Sequence, residues 1–230
     1  MKELILNVPA MLTLTVGTYL LGVFCKNKSG ISLLHPFIIC IPIIIALLKV
    51  MDISADEYME HNQIIIFLQG PSVVALGLSI YDNLETIKKN MASILAAIIV
   101  GSIVGVVSVY GICELLGLDP IFDRSLESKS VTTPIAMDLT KTLEGNISLT
   151  AISVVLCGFI GAVFGPLMWK IFRIDNPIAK GLAMGCASHG LGTTRAIEEG
   201  ALEGAVSGLS IALMGIATAL VIPLFNALIR

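Results

Sequence analysis

The chain has 230 residues, of which 56% are hydrophobic and only 13% are charged. A soluble domain carries about 25% charged residues, so this composition excludes an ordinary soluble globule and a disordered chain. The net charge of -3 provides no excess of basic residues for binding nucleic acid phosphates. The composition therefore indicates an integral membrane protein.

Six uncharged windows each have about the length that crosses a bilayer as a helix, roughly 17–25 residues. They are residues 4–25, 31–48, 62–81, 90–113, 145–169 and 204–229. Residues 130–137 and 181–194 are too short to cross the bilayer comfortably as helices, and they are rich in Gly, Pro, Ser and Thr. We therefore expect them to form re-entrant segments or breaks in a helix. The pattern predicts one all-α polytopic domain over residues 1–230, with about six to eight membrane helices.

The order of spans and polar breaks recurs, which predicts two repeat halves at residues 4–113 and 121–229. The second connection of the first half is acidic, with Asp52 and Glu57, whereas its equivalent in the second half is basic, with Lys170 and Arg173. Since Lys and Arg favour the cytoplasmic side, opposite signs predict an inverted-topology repeat with Arg230 inside and the N-terminus outside. The alternative is that short loops carry charge without a pattern.

The first polar break contains Gly70, Pro71 and Ser72 after Gln69. Proline inside a helix removes a hydrogen bond, whereas proline at the first helical position does not. We therefore expect Pro71 to begin a new half-helix, with Gln69 and Gly70 in an unwound link. The alternative is a proline kink in a packing helix.

The second break places donor side chains from Lys129, Ser130, Thr132 and Thr133 at the entrance to a short helix. Thr133 has N-cap chemistry, and the following Pro134 suits a first helical turn. The alternative is an ordinary capped helix at the membrane interface.

The third break is a glycine-rich segment around His189, with Arg195 six positions further on. A polar, glycine-rich segment at membrane depth is costly unless it lines a cavity or is buried in protein. His189 can bind a carboxylate or carry a proton, and Arg195 can grip a carboxylate with two hydrogen bonds. The alternatives are a structural His189 and an Arg195 that reaches the interface and pairs with Glu198 or Glu199.

These breaks share one interpretation, in which half-helix N-termini at Ser72, Thr133 and Gly190 point their positive ends at one anion. Gly101 with Gly105, and Gly161 with Gly165, fit close-packing faces instead. No nucleophile or metal-ligand set accompanies His189, so we expect neither an enzyme nor a metal site. The predicted substrate-binding residues are Gly70, Pro71, Ser72, Lys129, Ser130, Thr132, Thr133, Ser188, His189, Gly190, Gly192, Thr193 and Arg195.

Four runs, at residues 70–76, 129–137, 161–166 and 188–196, resemble signatures of the LrgB/CidB family. Relatives of that family include the membrane half of the plastid glycolate/glycerate translocator. The resemblance covers nearly the whole chain. Gln69 and Thr194 depart from the family pattern, which has an apolar residue and an alanine there.

The resemblance implies two functions. The first is secondary transport of a small monocarboxylate, such as glycolate, glycerate, lactate or pyruvate, by alternating access with proton or sodium coupling and no bound cofactor. The second is a holin/antiholin-like protein that modulates murein hydrolase activity and cell lysis. The resemblance also implies a multi-pass protein of the bacterial inner membrane with a small LrgA/CidA-like membrane partner. We further expect a homodimer that binds no nucleic acid.

Overall fold

The structure, a computed structural model, describes residues 7–29 and 36–229, and within these ranges it contains helices and no strands. Arg230, expected on the cytoplasmic side, lies outside the described residues. The helices are α1 (Val8–Ser29), α2 (Pro36–Val50), α3 (Ala55–His61), α4 (Gln63–Asp82), α5 (Leu84–Lys89), α6 (Met91–Leu115), α7 (Pro120–Leu126), α8 (Thr133–Thr142), α9 (Ile147–Phe172), α10 (Pro177–Glu199) and α11 (Ala201–Ile229).

Five of the described helices, α1, α4, α6, α9 and α11, are long and apolar enough to cross a membrane. A sixth span forms if α2 and α3, which meet at a bend of 113°, are counted together. These spans coincide with the six uncharged windows, because each window provides the apolar length that a crossing helix requires. The predicted all-α polytopic membrane fold is confirmed.

The chain divides into two compact units, one ending at Ala75 and one beginning at Leu76. In the first unit, Thr15 of α1 forms hydrogen bonds of 2.6 Å with the Tyr58 hydroxyl and 3.1 Å with the Asn62 side-chain oxygen. These polar contacts join α1 to the α3 region. The predicted inverted repeat of residues 4–113 and 121–229 stays a prediction.

In the second unit, α10 packs closely on α11 through glycines. A Cβ atom on Gly181 would lie 2.6 Å from the Glu203 carbonyl oxygen, and one on Gly185 would lie 2.6 Å from the Ser210 Cβ. Real Cβ atoms do not approach other atoms this closely, so only glycine permits this helix separation.

Of the two predicted glycine packing faces, only the one on α9 packs closely. A Cβ on Gly165 would lie 2.7 Å from the Met184 sulfur of α10, and Gly161 contacts Ser188. The prediction for α6 is wrong, because a Cβ on Gly101 would meet no atom within 4 Å and one on Gly105 would reach only the Ser130 hydroxyl, at 4.0 Å. The spacing permits close approach, but a cavity separates this face of α6 from α10.

The first break does not form a new half-helix, and that prediction is wrong. Helix α4 continues through Pro71 as one helix, as the alternative interpretation has it. The Ser72 hydroxyl donates a 2.8 Å hydrogen bond to the Leu68 carbonyl oxygen, within the turn that contains the proline. Serine side chains commonly satisfy backbone groups near proline in membrane helices, so the helix continues.

The second break begins helix α8, with a boundary one residue earlier than predicted. Thr132, rather than Thr133, is the N-cap residue, and its side chain makes no capping hydrogen bond. Pro134 lies in the first turn, as expected.

A buried chain of hydroxyl groups fixes the loop that enters α8. The Ser128 and Thr140 hydroxyls are 3.3 Å apart, the Thr140 and Thr150 hydroxyls are 2.9 Å apart, and Thr150 donates to the Ser125 carbonyl oxygen at 2.9 Å. These hydrogen bonds tie the loop to α9, and they hold the adjacent Lys129 and Ser130 in place.

We expect Gly185→Ala to lower the free energy of unfolding by about 1–3 kcal/mol, because the new methyl group overpacks the α10–α11 contact. Gly111→Ala on α6 is the matched control, since a Cβ there meets nothing within 4 Å. Thermal unfolding of the purified protein in detergent measures both. Equal midpoints for the two variants would contradict the assigned packing.

Candidate anion-binding site

The centre of the candidate site is a break inside helix α10. His189 has φ 39° and ψ -129°, while the residues on both sides are helical. This conformation is uncommon for any residue except glycine and costs about 1–3 kcal/mol. The predicted break is confirmed, and a second half-helix starts at Gly190, where we expect an N-terminus.

Buried side chains on α10 and α11 satisfy the backbone at the break. Thr193 donates a 3.0 Å hydrogen bond to the His189 carbonyl oxygen, and its hydroxyl lies 2.7 Å from that of Ser207. Because the Thr193 proton is directed at His189, Ser207 donates to Thr193. The three residues are buried, so these bonds form in a dry environment where an unmade bond is costly.

Helix α9 holds the imidazole ring. The His189 Nε2 atom lies 2.9 Å from the Val154 carbonyl oxygen. A carbonyl oxygen only accepts, so Nε2 carries the hydrogen and Nδ1 is the nitrogen left for a ligand or a proton. A Cβ on Gly158 would lie 2.9 Å from Nε2, so this glycine makes room for the ring.

Cys157 connects the second break to the third. Its thiol donates a 3.2 Å hydrogen bond to the Ala187 carbonyl oxygen, two residues before His189. The Ser130 side chain is within hydrogen-bonding range of the same thiol, and the charge of Lys129 is near enough to act on the thiol electrostatically. Ser130 and Ala187 line one cavity, so the structure brings Ser130 next to the first half of α10, while the role of Lys129 at the break stays a prediction.

A cavity of about 480 Å³ opens beside Ser130, between α6 and the first half of α10. Small molecules bind in cavities of about 300–1,000 Å³. Most of its lining side chains are small and apolar. The lining residues are Ala97, Gly101, Val104, Gly105, Ser130, Ala179, Leu182, Ala183, Cys186 and Ala187.

Ser188 has a buried hydroxyl without a hydrogen-bond partner among the described residues. Its side chain is 1% exposed and lies against Gly161 of α9. A buried hydroxyl that makes no hydrogen bond costs about 1–3 kcal/mol and calls for an explanation. It lies one residue before the break, within the predicted anion site.

Arg195 forms ion pairs on its own helix. Its Nη1 atom lies 2.5 Å from a Glu198 carboxylate oxygen, and its Nη2 atom lies 2.6 Å from Glu199. This is the alternative arrangement considered from the sequence. The Arg195 Nε atom is buried and has no hydrogen-bond partner among the described residues, so the two carboxylates occupy only part of the guanidinium group.

The other predicted residues lie at three places. Gly70, Pro71 and Ser72 belong to the first unit, on exposed positions of α4. Thr132 and Thr133 are half-buried at the start of α8. In α10, Gly190 is exposed, whereas Gly192 is buried against the Met184 carbonyl oxygen of the first half-helix.

No group of three His, Cys, Asp or Glu side chains among the described residues could hold a metal ion. The sequence interpretation missed Val154, Cys157 and Gly158, because all three lie in an uninterrupted apolar window. The only signal for them was the small size of Gly158 in a span that also carries Gly161.

Comparisons with known proteins match nearly the whole chain. The model of the LrgB-like family matches residues 15–228. Proteins named antiholin-like protein LrgB match over 218 residues, which is 95% of this chain and 93% of each relative. The one from Bacillus mycoides (strain KBAB4) is 34% identical, and the one from Bacillus cereus (strain B4264) is 33% identical. No solved structure matches.

We expect Thr193→Val to lower the free energy of unfolding by about 1–3 kcal/mol, because it removes the side-chain hydrogen bond to the His189 carbonyl and takes the Thr193 oxygen away from the buried Ser207 hydroxyl. Thr194→Val is the matched control, since the Thr194 hydroxyl is exposed and bonds only the Gly190 carbonyl of its own helix. The double variant Thr193→Val with Ser207→Ala should cost less than the sum of the single variants. Strict additivity in thermal unfolding would contradict the assigned network.

Proposed function

Because the chain belongs to the LrgB-like family, we propose that it is an antiholin-like protein that restrains murein hydrolase activity and lysis of the bacterial cell. The observation that carries this proposal is the shared name of relatives that align over 95% of the chain. The alignment spans the apolar helices and the polar breaks alike. The LrgB family is not a known family of enzymes, and the chain is a multi-pass membrane protein.

The same proposal includes location and partners. We place the protein in the inner membrane, as a homodimer together with a small LrgA/CidA-like membrane protein. Large apolar side chains on α6 support lateral contacts with lipid or other helices, since Val100 and Val104 are 59% and 57% exposed.

Deletion of the gene should accelerate detergent-induced autolysis and raise murein hydrolase activity in zymograms, and a plasmid copy should restore the wild-type rate. Complementing the deletion strain with a plasmid copy that carries Lys129→Met tests whether the restraint of lysis requires the candidate anion site. Lys141→Met is its control, because Lys141 is an exposed lysine paired with Asp138 at 3.2 Å. An unchanged lysis rate after deletion would contradict the antiholin-like proposal.

We propose, as a second function, transport of a small monocarboxylate, and the break at His189 is the specific observation that favours it. Broken helices with polar residues at membrane depth are how many secondary transporters hold a carboxylate. The chain retains a strained histidine where glycine would relieve the strain, which points to a role for the imidazole ring. The two functions are compatible, since a transporter can affect lysis through the solute that it moves.

In this mechanism the carboxylate binds between Lys129 and the N-terminus of the second half-helix at Gly190. The positive end of that half-helix and the ammonium group both favour an anion. Ser130 and Ser188 offer hydroxyl donors beside the same point. Because Nε2 of His189 is directed at Val154, Nδ1 is the atom that accepts a coupling proton. Coupling to a proton or to sodium and alternating access belong to this proposal.

Lys129→Met should lower the uptake of labelled lactate into proteoliposomes by about tenfold to hundredfold. Hydrogen bonds to charged groups contribute about 1.5–3 kcal/mol, and 1.4 kcal/mol is tenfold. Lys141→Met should transport like the wild type. His189→Gly keeps the conformation of the break and removes the ring, so it separates the role of the imidazole from that of the backbone. Wild-type uptake by the Lys129→Met protein would contradict the site.

A further inference from the structure

The first half of α10 runs parallel to α11. A Cβ on Gly181 would lie 2.6 Å from the Glu203 carbonyl oxygen. One turn further on, Gly185 contacts Ser207, which lies one turn further along α11. Since the contacts advance in the same direction on both helices, the two helices point the same way. This half-helix, residues 177–188, is about 18 Å long at 1.5 Å per residue, so it ends inside a hydrocarbon core of roughly 30 Å.

The second half of α10 runs back towards the start of α11. The Thr193 hydroxyl bonds that of Ser207, a residue that the first half also contacts. Ile197, one turn later on α10, packs against Gly204, which is nearer the start of α11, and a Cβ on Gly204 would lie 2.7 Å from its side chain. Residues 177–199 therefore form a hairpin, the α10 hairpin, and both its ends lie at the start of α11.

A second segment enters from the opposite end of α11. Near that end, Asn226 donates a 2.9 Å hydrogen bond to a Glu127 carboxylate oxygen. Ile135 reaches the middle of α11, because a Cβ on Gly215 would lie 2.8 Å from its side chain. The buried hydroxyl chain then ties the end of α8 back to α7. Residues 120–142 therefore form a second hairpin, the α7–α8 hairpin, which enters and leaves at the end of α11.

The tips of the two hairpins meet at the Cys157 thiol of α9. This thiol donates a 3.2 Å hydrogen bond to the Ala187 carbonyl oxygen, in the tip of the α10 hairpin. The Ser130 side chain, in the tip of the α7–α8 hairpin, is within hydrogen-bonding range of the same sulfur. Ser130 and Ala187 also line one cavity. One sulfur atom therefore connects two segments that come from opposite ends of α11.

Buried polar side chains lie on both sides of this tip contact. Polar groups at membrane depth are costly unless they are buried in protein or line a cavity. The group on the α7–α8 side includes Ser125, Ser128 and Thr140, and the group on the α10 side includes Ser188, Thr193 and Ser207. A polar solute would find hydrogen-bond partners in both groups, and the tip contact separates one group from the other.

We propose that the two hairpins enter the bilayer from opposite faces and that the contact between their tips is the gate between the two sides of the membrane. Helix α11 is about 43 Å long at 1.5 Å per residue, so its two ends reach the two faces. Each hairpin moves away from Cys157 to open a path to its own face, while α6, α9 and α11 stay in place. The gate rests on the transport proposal, whereas the topology of the hairpins does not.

The topology is tested with single-cysteine variants of a full chain whose five native cysteines are replaced. Asp175→Cys and Ala201→Cys flank the α10 hairpin, and both positions are exposed. A membrane-impermeant maleimide should reach them from the same face of the membrane. Leu118→Cys and Lys141→Cys, at exposed positions that flank the α7–α8 hairpin, should react from the other face. Reaction of Asp175→Cys and Ala201→Cys from opposite faces would overturn the inference, since α10 would then cross the bilayer.

The gate is tested by joining the tips. In the same background, a short bifunctional thiosulfonate should link Ser130→Cys to Ala187→Cys and abolish the uptake of labelled lactate into proteoliposomes, and a reductant should restore uptake. Ser102→Cys with Thr218→Cys is the matched control, because these hydroxyls lie 3.1 Å apart between α6 and α11, outside both hairpins. Linking this pair should leave uptake unchanged. Comparison of each protein before linking, after linking and after reduction excludes an effect of misfolding.

The outcomes separate the gate from the transport proposal. Linked tips with full uptake, or tips that do not link where the control pair does, would overturn the gate and leave transport standing. Absence of lactate uptake by the wild type would overturn transport and the gate together. The faces from which the flanking cysteines react decide the topology of the hairpins in either case.

Discussion

The second unit depends on one strained residue inside a membrane helix. At His189 the backbone leaves the helical conformation, and in a bilayer each backbone group freed by such a break needs a partner within the protein. The Thr193 hydroxyl donates to the His189 carbonyl, Ser207 bonds the Thr193 hydroxyl, and the Val154 carbonyl holds the ring. Contacts from two neighbouring helices therefore stabilise the break. The break divides one helix into two half-helices whose ends face polar side chains.

Helix α9 provides most of the contacts that hold the residues around this break. Successive turns present the Val154 carbonyl to the imidazole, the Cys157 thiol to the Ala187 carbonyl, and Gly161 to Ser188. The same helix receives the loop with Lys129, which the buried hydroxyl chain ties to it. The transport proposal combines Lys129, hydroxyl donors and a half-helix N-terminus, which come from distant parts of the sequence.

The sequence predicts the spans and the third break well, because hydropathy and glycine content act locally. It does not tell which helix packs against a glycine-containing face. The same four-residue spacing therefore gives close packing at Gly161 and Gly165 and an open face at Gly101 and Gly105. The sequence also does not show that α4 continues through Pro71, because the hydrogen bonds of this turn form only in the folded helix. Cys157 was missed because nothing in an apolar window marks a residue that a tertiary contact later brings beside a lysine.

The antiholin-like proposal rests on the family, whereas the transport proposal rests on the break at His189. Alkylation of Cys157 tests most directly whether an anion binds at the break, because the thiol bonds the Ala187 carbonyl two residues before His189 and the charge of Lys129 acts on it. In a chain that keeps Cys157 as its single cysteine, the rate of reaction with a small maleimide is measured with and without lactate. We predict that lactate slows the reaction severalfold and that the effect disappears in Lys129→Met. Equal rates with and without lactate in the otherwise unaltered chain would contradict an anion site at the break.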